Sequence, residues 1–198
     1  MPEIVIAPAT RGRFDDAEHT LSGGGDGRSC QCQWWMMTNA EFQRASRDER
    51  RALLRDEVEN GSPAPALIAY VDGEAAGWVR VGPRTAQVRI GRTRNIAAHT
   101  PEPLDDPDVW AVSCFVVRRE HRGTGLNARL LAAAVDFARQ QGARLVEAYP
   151  IDTTVGKKPA NELYHGILSV FEAAGFREVA RPKPDRVIVS LELDRRGR

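Results

Sequence analysis

The chain has 198 residues, and its 28 basic and 27 acidic side chains leave a formal net charge of +1. With 42% hydrophobic and 28% charged residues it has the composition of a soluble globular protein, and at this length we expect one domain over residues 1–198. A charge near zero gives no support for binding nucleic acid or an anionic membrane surface, and no apolar run approaches the roughly 20 residues of a membrane helix.

The start of the chain and the cysteine content indicate the compartment. The segment "MPEIVIAPATRGRFDD" has no basic region followed by an apolar stretch, so it does not resemble a signal peptide. Cys30, Cys32 and Cys114 are too few for a disulfide framework, which favours a reducing cytoplasm. The C-x-C pair and four scattered histidines do not have the spacing of a closed zinc site, so we expect no metal.

The first third of the chain predicts a strand followed by helices. "EIVIAPAT" is typical of a strand, "RFDDAEHTL" of a short helix, and "SGGGDGRS" of a flexible loop. Thr38 with Glu41, and Ser46 with Glu49, have the spacing of capping boxes. They predict two short helices, or one bent helix, over Asn39–Asn60. The residues expected to face inward are Phe42, Leu53, Leu54 and Val58.

The middle of the chain predicts a hairpin and a buried strand. The apolar runs Ala66–Val71 and Ala75–Val81 flank Asp72-Gly73, a strong hairpin turn signal. A polar segment follows, which we interpret as an insertion or a loop lining a cleft. The continuous apolar run Val109–Val117 is typical of a central strand buried on both faces.

The last third predicts the rest of a mixed sheet. A long amphipathic helix follows a glycine turn and ends at Gly142. Its apolar stripe is Leu126, Leu130, Leu131, Ala134, Val135 and Ala138. "ARLVEAYPI" predicts a strand, Asn161 to Ala174 a helix capped by Asn161, and "GFREVA" and "DRVIVSLEL" two more strands. The order of elements predicts an α/β (α+β-like) fold with a mixed β-sheet of about six to seven strands flanked by helices.

The glycine turn between the central strand and the long helix has the features of an anion site. Gly123 and Gly125 let the backbone approach an anion at a helix N-terminus, and Arg122 adds positive charge. The spacing is neither that of a P-loop nor that of the dinucleotide fingerprint. A plain strand-to-helix turn with solvated arginines is the alternative.

In context, this turn resembles a known pattern. Arg122-Gly123-Thr124-Gly125-Leu126-Asn127 is similar to the R-x-x-G-x-[G/A] motif of the GNAT superfamily, the acyl-CoA-dependent N-acetyltransferases. The resemblance is clearest over Val109–Val179, through "VVRREHRGTGLNARLL", "LVEAYP" and "VFEAAGF".

The resemblance implies a splayed sheet with acetyl-CoA as cosubstrate. Acyl-CoA would lie in the gap between the strand ending at Val117 and the strand ending near Tyr149. The backbones of Phe115, Val116 and Val117 would pair with the pantetheine arm. The pyrophosphate would be held by Arg122, Gly123, Thr124, Gly125, Leu126 and Asn127.

Two positions depart from the family pattern. Asn127 stands where Gly or Ala is usual, and its amide can add a hydrogen bond. Phe171 stands where many members carry a tyrosine acting as general acid, and phenylalanine has no proton to give. Tyr164 is the replacement candidate, with a half-buried tyrosine of no catalytic role as the alternative.

The acceptor side requires a group that takes a proton from the amine. Glu147, a carboxylate on an otherwise apolar strand, is the first candidate, and Asp152 the second; a structural salt bridge is the alternative for Glu147. Trp34 and Trp35 are expected either to line the acceptor pocket or to pack in the core.

The resemblance therefore implies an N-acetyltransferase that moves an acetyl group from acetyl-CoA to a primary amine by direct attack. The acceptor is a small-molecule or peptide amine, and a homodimer stays open because relatives often dimerise. A catalytically silent acyl-CoA sensor or regulatory module of the same fold is the alternative. A covalent route through a cysteine lacks an evident base beside any of the three thiols in the sequence.

Overall fold

The computed structural model describes residues 2–194, without the side chain of Ala160. The strands are β1 (Ile4–Pro8), β2 (Ala66–Val71), β3 (Glu74–Pro83), β4 (Val109–Val117), β5 (Leu145–Ala148), β6 (Arg177–Lys183) and β7 (Arg186–Glu192). They form one seven-stranded sheet in the order β1-β2-β3-β4-β5-β7-β6. Only the β4–β5 pair is parallel among these strands, so the mixed sheet that the sequence predicts is confirmed.

Helices flank the sheet. They are α1 (Phe14–Leu21), α2 (Gly27–Cys30), α3 (Asn39–Arg44), α4 (Arg47–Asn60), α5 (Val88–Arg92), α6 (Arg94–Ala97), α7 (Leu126–Gln140) and α8 (Leu168–Ala173). Both predicted capping boxes form, at Thr38 and at Ser46, because each side chain accepts from the N3 backbone and the N3 glutamate reaches back. No helix within residues 2–194 is long and apolar enough to cross a membrane.

The sheet opens in its centre, between β4 and β5. The two strands pair only from Val109–Leu145 to Val112–Ala148. On the other side of β4, a register shift against β3 leaves Ser113 without a partner, which is the mark of a β-bulge. From Ser113 to Val117, β4 therefore continues along β3 while β5 no longer accompanies it. The sheet is splayed, as the resemblance implies.

The core is divided between the two faces of the sheet. On one face the buried stripe of α7, including Leu130 and Leu131, packs on β2, β3 and β4. On the other face α1 and α4 cover Trp78, which is fully buried. Burying a large apolar side chain stabilises the fold by about 1.5–3 kcal/mol. The helices on both faces of the sheet therefore contribute to fixing the position of β4.

The prediction that Leu53 of α4 faces inward was wrong. Leu54 and Val58 are buried as predicted, but Leu53 is 44% exposed. Successive helical residues point about 100° apart, so only one of the two leucines can share a stripe with Val58, four residues from Leu54.

The predicted helix from Asn161 to Ala174 was also wrong. A 3-10 turn over Ala160–His165 ends at Gly166, whose φ is +81°, and α8 begins only at Leu168. A Cβ at Gly166 would lie 2.7 Å from the ring of Phe171, so glycine is required by both conformation and space.

The two leucines of α4 offer a matched test of its orientation. We expect Leu54→Ala to lower the free energy of unfolding by about 2–5 kcal/mol because it leaves a cavity. Leu53→Ala should change the free energy by no more than about 0.5 kcal/mol. Urea denaturation of both variants measures the difference, and equal losses would contradict the orientation of α4.

Candidate functional site

The opening between β4 and β5 leads into a cavity of about 720 Å³. Its wall runs from the glycine turn before α7, along the free edge of β4, to a group of thiols and aromatic rings. We call the first end the anion cradle (residues 121–127). We call the second end the thiol pocket, formed by Cys30, Cys32, Cys114, Trp34, Trp35, Phe42 and Tyr164.

The free edge of β4 presents alternate backbone groups to the cavity. The N–H of Arg118 donates to the carbonyl of Ala76 on β3, while the carbonyl of Ser113, on the opposite edge, accepts from the indole of Trp35 at 2.9 Å. Alternation along a strand therefore turns the backbones of Phe115 and Val117 toward the cavity. The expectation for these two residues fits this arrangement, whereas alternation directs the backbone of Val116 at β3, although Val116 is also among the residues that line the cavity.

The anion cradle is built by two left-handed glycines. Gly123 and Gly125 have φ of +77° and +78°, and Gly125 is the N-cap of α7. The hydroxyl of Thr124 donates to the carbonyl of His121 at 2.7 Å, which closes the turn. Within the described residues, the backbone N–H groups from 123 to 127 have no acceptor. These N–H groups lie at the N-terminus of α7, the positive end of the helix dipole, and this position favours binding of an anion.

Two side chains at the cradle are also unpaired. His121 Nε2 and Asn127 Oδ1 are buried without a hydrogen-bond partner, and both residues line the cavity. A buried polar group without a partner costs about 1–3 kcal/mol, so these atoms suit a polar ligand. His121 Nε2 can donate to an anion when it carries the proton, whereas Asn127 Oδ1 only accepts, so the Asn127 oxygen suits a donor on the ligand. Arg122 also lines the cavity, and its Nε donates to the carbonyl of Val117 at 3.2 Å. The residues present at the cradle therefore fit a phosphate group.

The thiol pocket has aromatic walls. Trp34 is half-buried and meets the ring of Phe42 edge-on at 5.1 Å, while Trp35 is 4% exposed and lies 6.1 Å from the ring of Tyr149. Lining a pocket and packing in the core were the alternatives for the tryptophans. Trp35 does both, since it lines the cavity and belongs to the core.

Cys32 lies in this pocket beside strong hydrogen-bond donors. Its sulfur accepts from Trp78 Nε1 at 3.1 Å and from Arg80 Nε at 3.2 Å, and Arg80 is 2% exposed. Burial by itself raises the pKa of the Cys32 thiol. Hydrogen bonds from Cys114, Arg80 and Trp78, with the charge of Arg80, outweigh burial and lower the pKa to about 6.

Tyr164 lines the same pocket from the 3-10 turn, stacked on the ring of His165 at 4.0 Å. Burial, and then the nearby Cys114, raise the pKa of Tyr164 well above its ordinary value, so its hydroxyl keeps its proton. Burial lowers the pKa of His165 to about 3, so its ring is neutral at pH 7.

The two predicted carboxylates lie outside the cavity. Glu147 is fully buried on β5, where it pairs with Arg84 at 3.1 Å and accepts from Thr100 at 2.5 Å and from the Tyr149 hydroxyl at 2.6 Å. It is not among the residues that line the cavity. The position of Glu147 fits the alternative to a general base, which was a structural salt bridge. Asp152, likewise outside the lining, is paired with Arg181 at 2.8 Å.

Phe171 has no exposure at all and belongs to the core. Its ring meets Phe115 at 6.0 Å and Phe176 at 5.2 Å, both edge-on. The structure thus brings Tyr164, Trp34 and Trp35 together around one cavity, and it leaves Phe171 and Glu147 outside.

Sequence reasoning missed three contributors. His121, Arg80 and Trp78 carry no local motif, and only the C-x-C spacing drew attention to Cys32. Within residues 2–194 there is no group of three or more His, Cys, Asp or Glu side chains that could hold a metal ion.

The family model described as "Acetyltransferase (GNAT) family" matches residues 31–167. No curated protein sequence matches the chain significantly.

Solved structures share the fold over nearly the full length. The ribosomal-protein-alanine N-acetyltransferase of Brucella melitensis superposes with a TM-score of 0.57 at 18% identity, covering 96% of this chain and 99% of that one. An N-acetyltransferase of Staphylococcus aureus gives 0.56 at 15% identity, covering 96% and 98%. The yncA protein of Salmonella typhimurium, solved with its cofactor acetyl-CoA, gives 0.54 at 17% identity, covering 96% and 94%.

The buried pair of Glu147 and Arg84 predicts a large effect on stability. Glu147→Gln would leave the Arg84 charge buried without its carboxylate, so we expect the free energy of unfolding to fall by about 3–5 kcal/mol. Glu172→Gln, on the exposed face of α8, is the control and should stay within about 0.5 kcal/mol. A loss below about 1 kcal/mol for Glu147→Gln in urea denaturation would contradict the structural role.

Proposed function

This chain belongs to the GNAT family of acetyltransferases, and on that premise we propose that it transfers an acetyl group from acetyl-CoA to a primary amine by direct attack of the amine on the thioester. The observation that carries the proposal is the continuity of one cavity. It joins an anion cradle, a free strand edge and a pocket of aromatic rings and thiols.

The cradle and the strand edge suit the two parts of CoA. The backbone N–H groups from 123 to 127, with Arg122 and the side-chain NH2 of Asn127 as a donor, would hold the pyrophosphate. The backbones of Phe115 and Val117 would pair with the amides of the pantetheine arm, as an added strand does at a free sheet edge. CoA supplies the activated acetyl group, and the residues of the chain orient it and exclude water.

The thiol pocket suits the amine. Trp34, Trp35 and Phe42 line it, and arginines already lie over two of these rings, Arg89 over Trp34 at 3.8 Å and Arg50 over Phe42 at 4.4 Å. The rings therefore offer the acceptor an apolar wall beside positive charge, which favours an amine that arrives neutral. A small-molecule amine and a peptide amine both fit this description. The name of the Brucella melitensis neighbour, a ribosomal-protein-alanine N-acetyltransferase, favours including peptide N-termini among the acceptors to be tried.

Rate enhancement would come mainly from positioning and from polarisation of the thioester carbonyl. A backbone N–H on the free edge of β4 is fixed in place before reaction, so it stabilises developing negative charge without reorganisation. Tyr164 would donate a hydrogen bond to the CoA sulfur while keeping its own proton. We assign Glu147 to holding Arg84 in place, because its carboxylate is already engaged there.

A second function is favoured by one observation. Phe171 is sealed in the core at the place where many family members carry a catalytic tyrosine, which suits a silent acyl-CoA sensor. In either function, the free thiols of Cys30, Cys32 and Cys114 support a reducing cytoplasm as the compartment.

The test of the enzyme is release of free CoA thiol from acetyl-CoA. The full chain is incubated with a panel of primary amines, amino acids and short peptides, and acetylated products are identified by mass spectrometry. We expect at least one amine to accelerate thiol release and to gain an acetyl group. Tight acetyl-CoA binding with no turnover on any amine would favour the sensor instead.

The two ends of α7 provide a matched test of the cradle. Gly125 and Gly142 both have left-handed φ, +78° and +88°, with open space where a Cβ would stand, but only Gly125 lines the cavity. We expect Gly125→Ala and Gly142→Ala each to cost about 1–2 kcal/mol of stability through backbone strain.

Only Gly125→Ala should weaken CoA binding in isothermal titration calorimetry. The expected loss is about tenfold or more, since each charge-assisted hydrogen bond contributes about 1.5–3 kcal/mol. Equal CoA affinity in the two variants would contradict the cradle.

A further inference from the structure

We propose that the Cys32 sulfur is the general base of the reaction: it takes the proton of the attacking amine and then returns it to the departing CoA sulfur. This inference rests on the proposed acetyl transfer, and it assigns the proton-handling role that neither Glu147 nor position 171 can fill.

The thiol pocket contains no carboxylate. Among the described residues lining the cavity, the only carboxylate is Asp26, which precedes α2 in the glycine loop, and the only histidine is His121, in the anion cradle. The titratable groups of the pocket itself are Tyr164 and the three thiols of Cys30, Cys32 and Cys114. Asp26, one helical turn before Cys30, is exposed, so among the described side chains a buried proton acceptor at this end would be one of these four groups.

Only Cys32 among them is built to be an anion. Trp78 Nε1 and Arg80 Nε donate to its sulfur from β3, at 3.1 Å and 3.2 Å. Arg80 is at the same time paired with Glu57 of α4 at 2.7 Å, and Glu57 accepts from Gln33 at 2.8 Å. The charges of Arg80 and Glu57 therefore cancel. With Cys32 as a thiolate, the cluster of Cys32, Arg80 and Glu57 has a net charge of about −1 beside the aromatic rings.

The backbone at Cys32 is shaped to place this sulfur. Gln31 and Cys32 have φ of +52° and +53°, two successive non-glycine residues in the left-handed region. Such residues are uncommon and are concentrated at functional sites. The turn follows α2 directly and directs the Cys32 sulfur at β3, against Trp78 and Arg80.

The other groups of the pocket are held protonated. Burial, and then the charge on Cys32, raise the pKa of Cys30 to about 11. The hydrogen bond to Cys32, and then burial, raise the pKa of Cys114 well above its ordinary value. With Tyr164 also protonated, Cys32 is the one group of the described pocket that carries negative charge at pH 7.

The proton balance closes for an amine that enters as the neutral base, its ammonium proton having passed to solvent before it binds. The amine nitrogen bonds to the thioester carbonyl carbon, its proton passes to the Cys32 sulfur, and the bond from that carbon to the CoA sulfur breaks. The Cys32 thiol then gives its proton to the CoA thiolate. An ordinary alkyl thiol has a pKa of about 8.5, so this last transfer is downhill from Cys32, and no tyrosine is needed at position 171.

The first experiment measures the thiolate directly, without any acceptor. The ultraviolet absorbance of thiolate anions is titrated against pH in the full chain, in Cys32→Ser and in Cys30→Ser. We expect the wild-type protein and Cys30→Ser to show one thiolate at pH 7 that disappears with a midpoint near pH 6. Cys32→Ser should lack it, and no difference among the three proteins would overturn the proposal.

The second experiment measures catalysis with whichever amine the wild-type protein acetylates. Serine keeps the size and the hydrogen-bond acceptor but is not an anion at pH 7. We therefore expect Cys32→Ser to lower kcat by about 10²–10⁴-fold, to lose the fall in kcat/KM below pH 6, and to bind CoA unchanged. Urea denaturation of the variant shows that it is folded.

Each remaining outcome decides against the role of Cys32. A fully active Cys32→Ser with the wild-type pH profile overturns this inference and leaves the proposed function standing. An acetyl group found on Cys32 by intact-mass analysis, and passed to the amine, would make it a nucleophile and overturn the assignment as base. If the wild-type protein releases no CoA with any amine, the proposed function fails, and this inference with it.

Discussion

The parting of β4 from β5 after Val112 is the constraint on which the site depends. A central strand that was hydrogen-bonded on both sides would have no free backbone groups and no gap for a ligand. β4 stays paired with β3 on both sides of the bulge at Ser113, whereas its pairing with β5 ends there. The indole of Trp35 donates to the Ser113 carbonyl on the exposed edge. Because α7 begins soon after β4 ends, the same edge leads from the thiol pocket to the anion cradle.

The distribution of buried charge divides structural groups from groups available for chemistry. Arg84 and Glu147 neutralise each other inside the sheet, and two further hydroxyl donors complete the carboxylate. Arg80 is paired with Glu57 but also faces a sulfur at the cavity wall. Glu147 does not line the cavity, whereas Cys32 does, so the base that we propose is Cys32. The acid and base of this fold are therefore sought in the pocket and not on β5.

Local chemistry explains which elements could be predicted. The hairpin around Asp72-Gly73, the apolar run of β4, both capping boxes and the stripe of α7 depend on residues close together in sequence. The prediction of a helix from Asn161 was wrong because Gly166 must leave room for the ring of Phe171. The apolar pattern of α8 gives no sign of this contact. The exposure of Leu53 could have been predicted, because Leu54 stands four residues before Val58 and shares its stripe, whereas Leu53 stands five residues before it.

The sequence by itself determined the elements of the mixed sheet and the glycine turn at a helix N-terminus, which follow from short-range spacing, and it carried the resemblance to the family. Only the tertiary structure decided what the chemical groups do. Glu147 became a structural ion pair because Arg84 and Thr100, far from it in the chain, fold onto it. The pKa of Cys32, in the turn after α2, is lowered by Arg80 and Trp78, which lie on β3. A pKa depends on neighbours in space, and their identity is not written in the residues beside it.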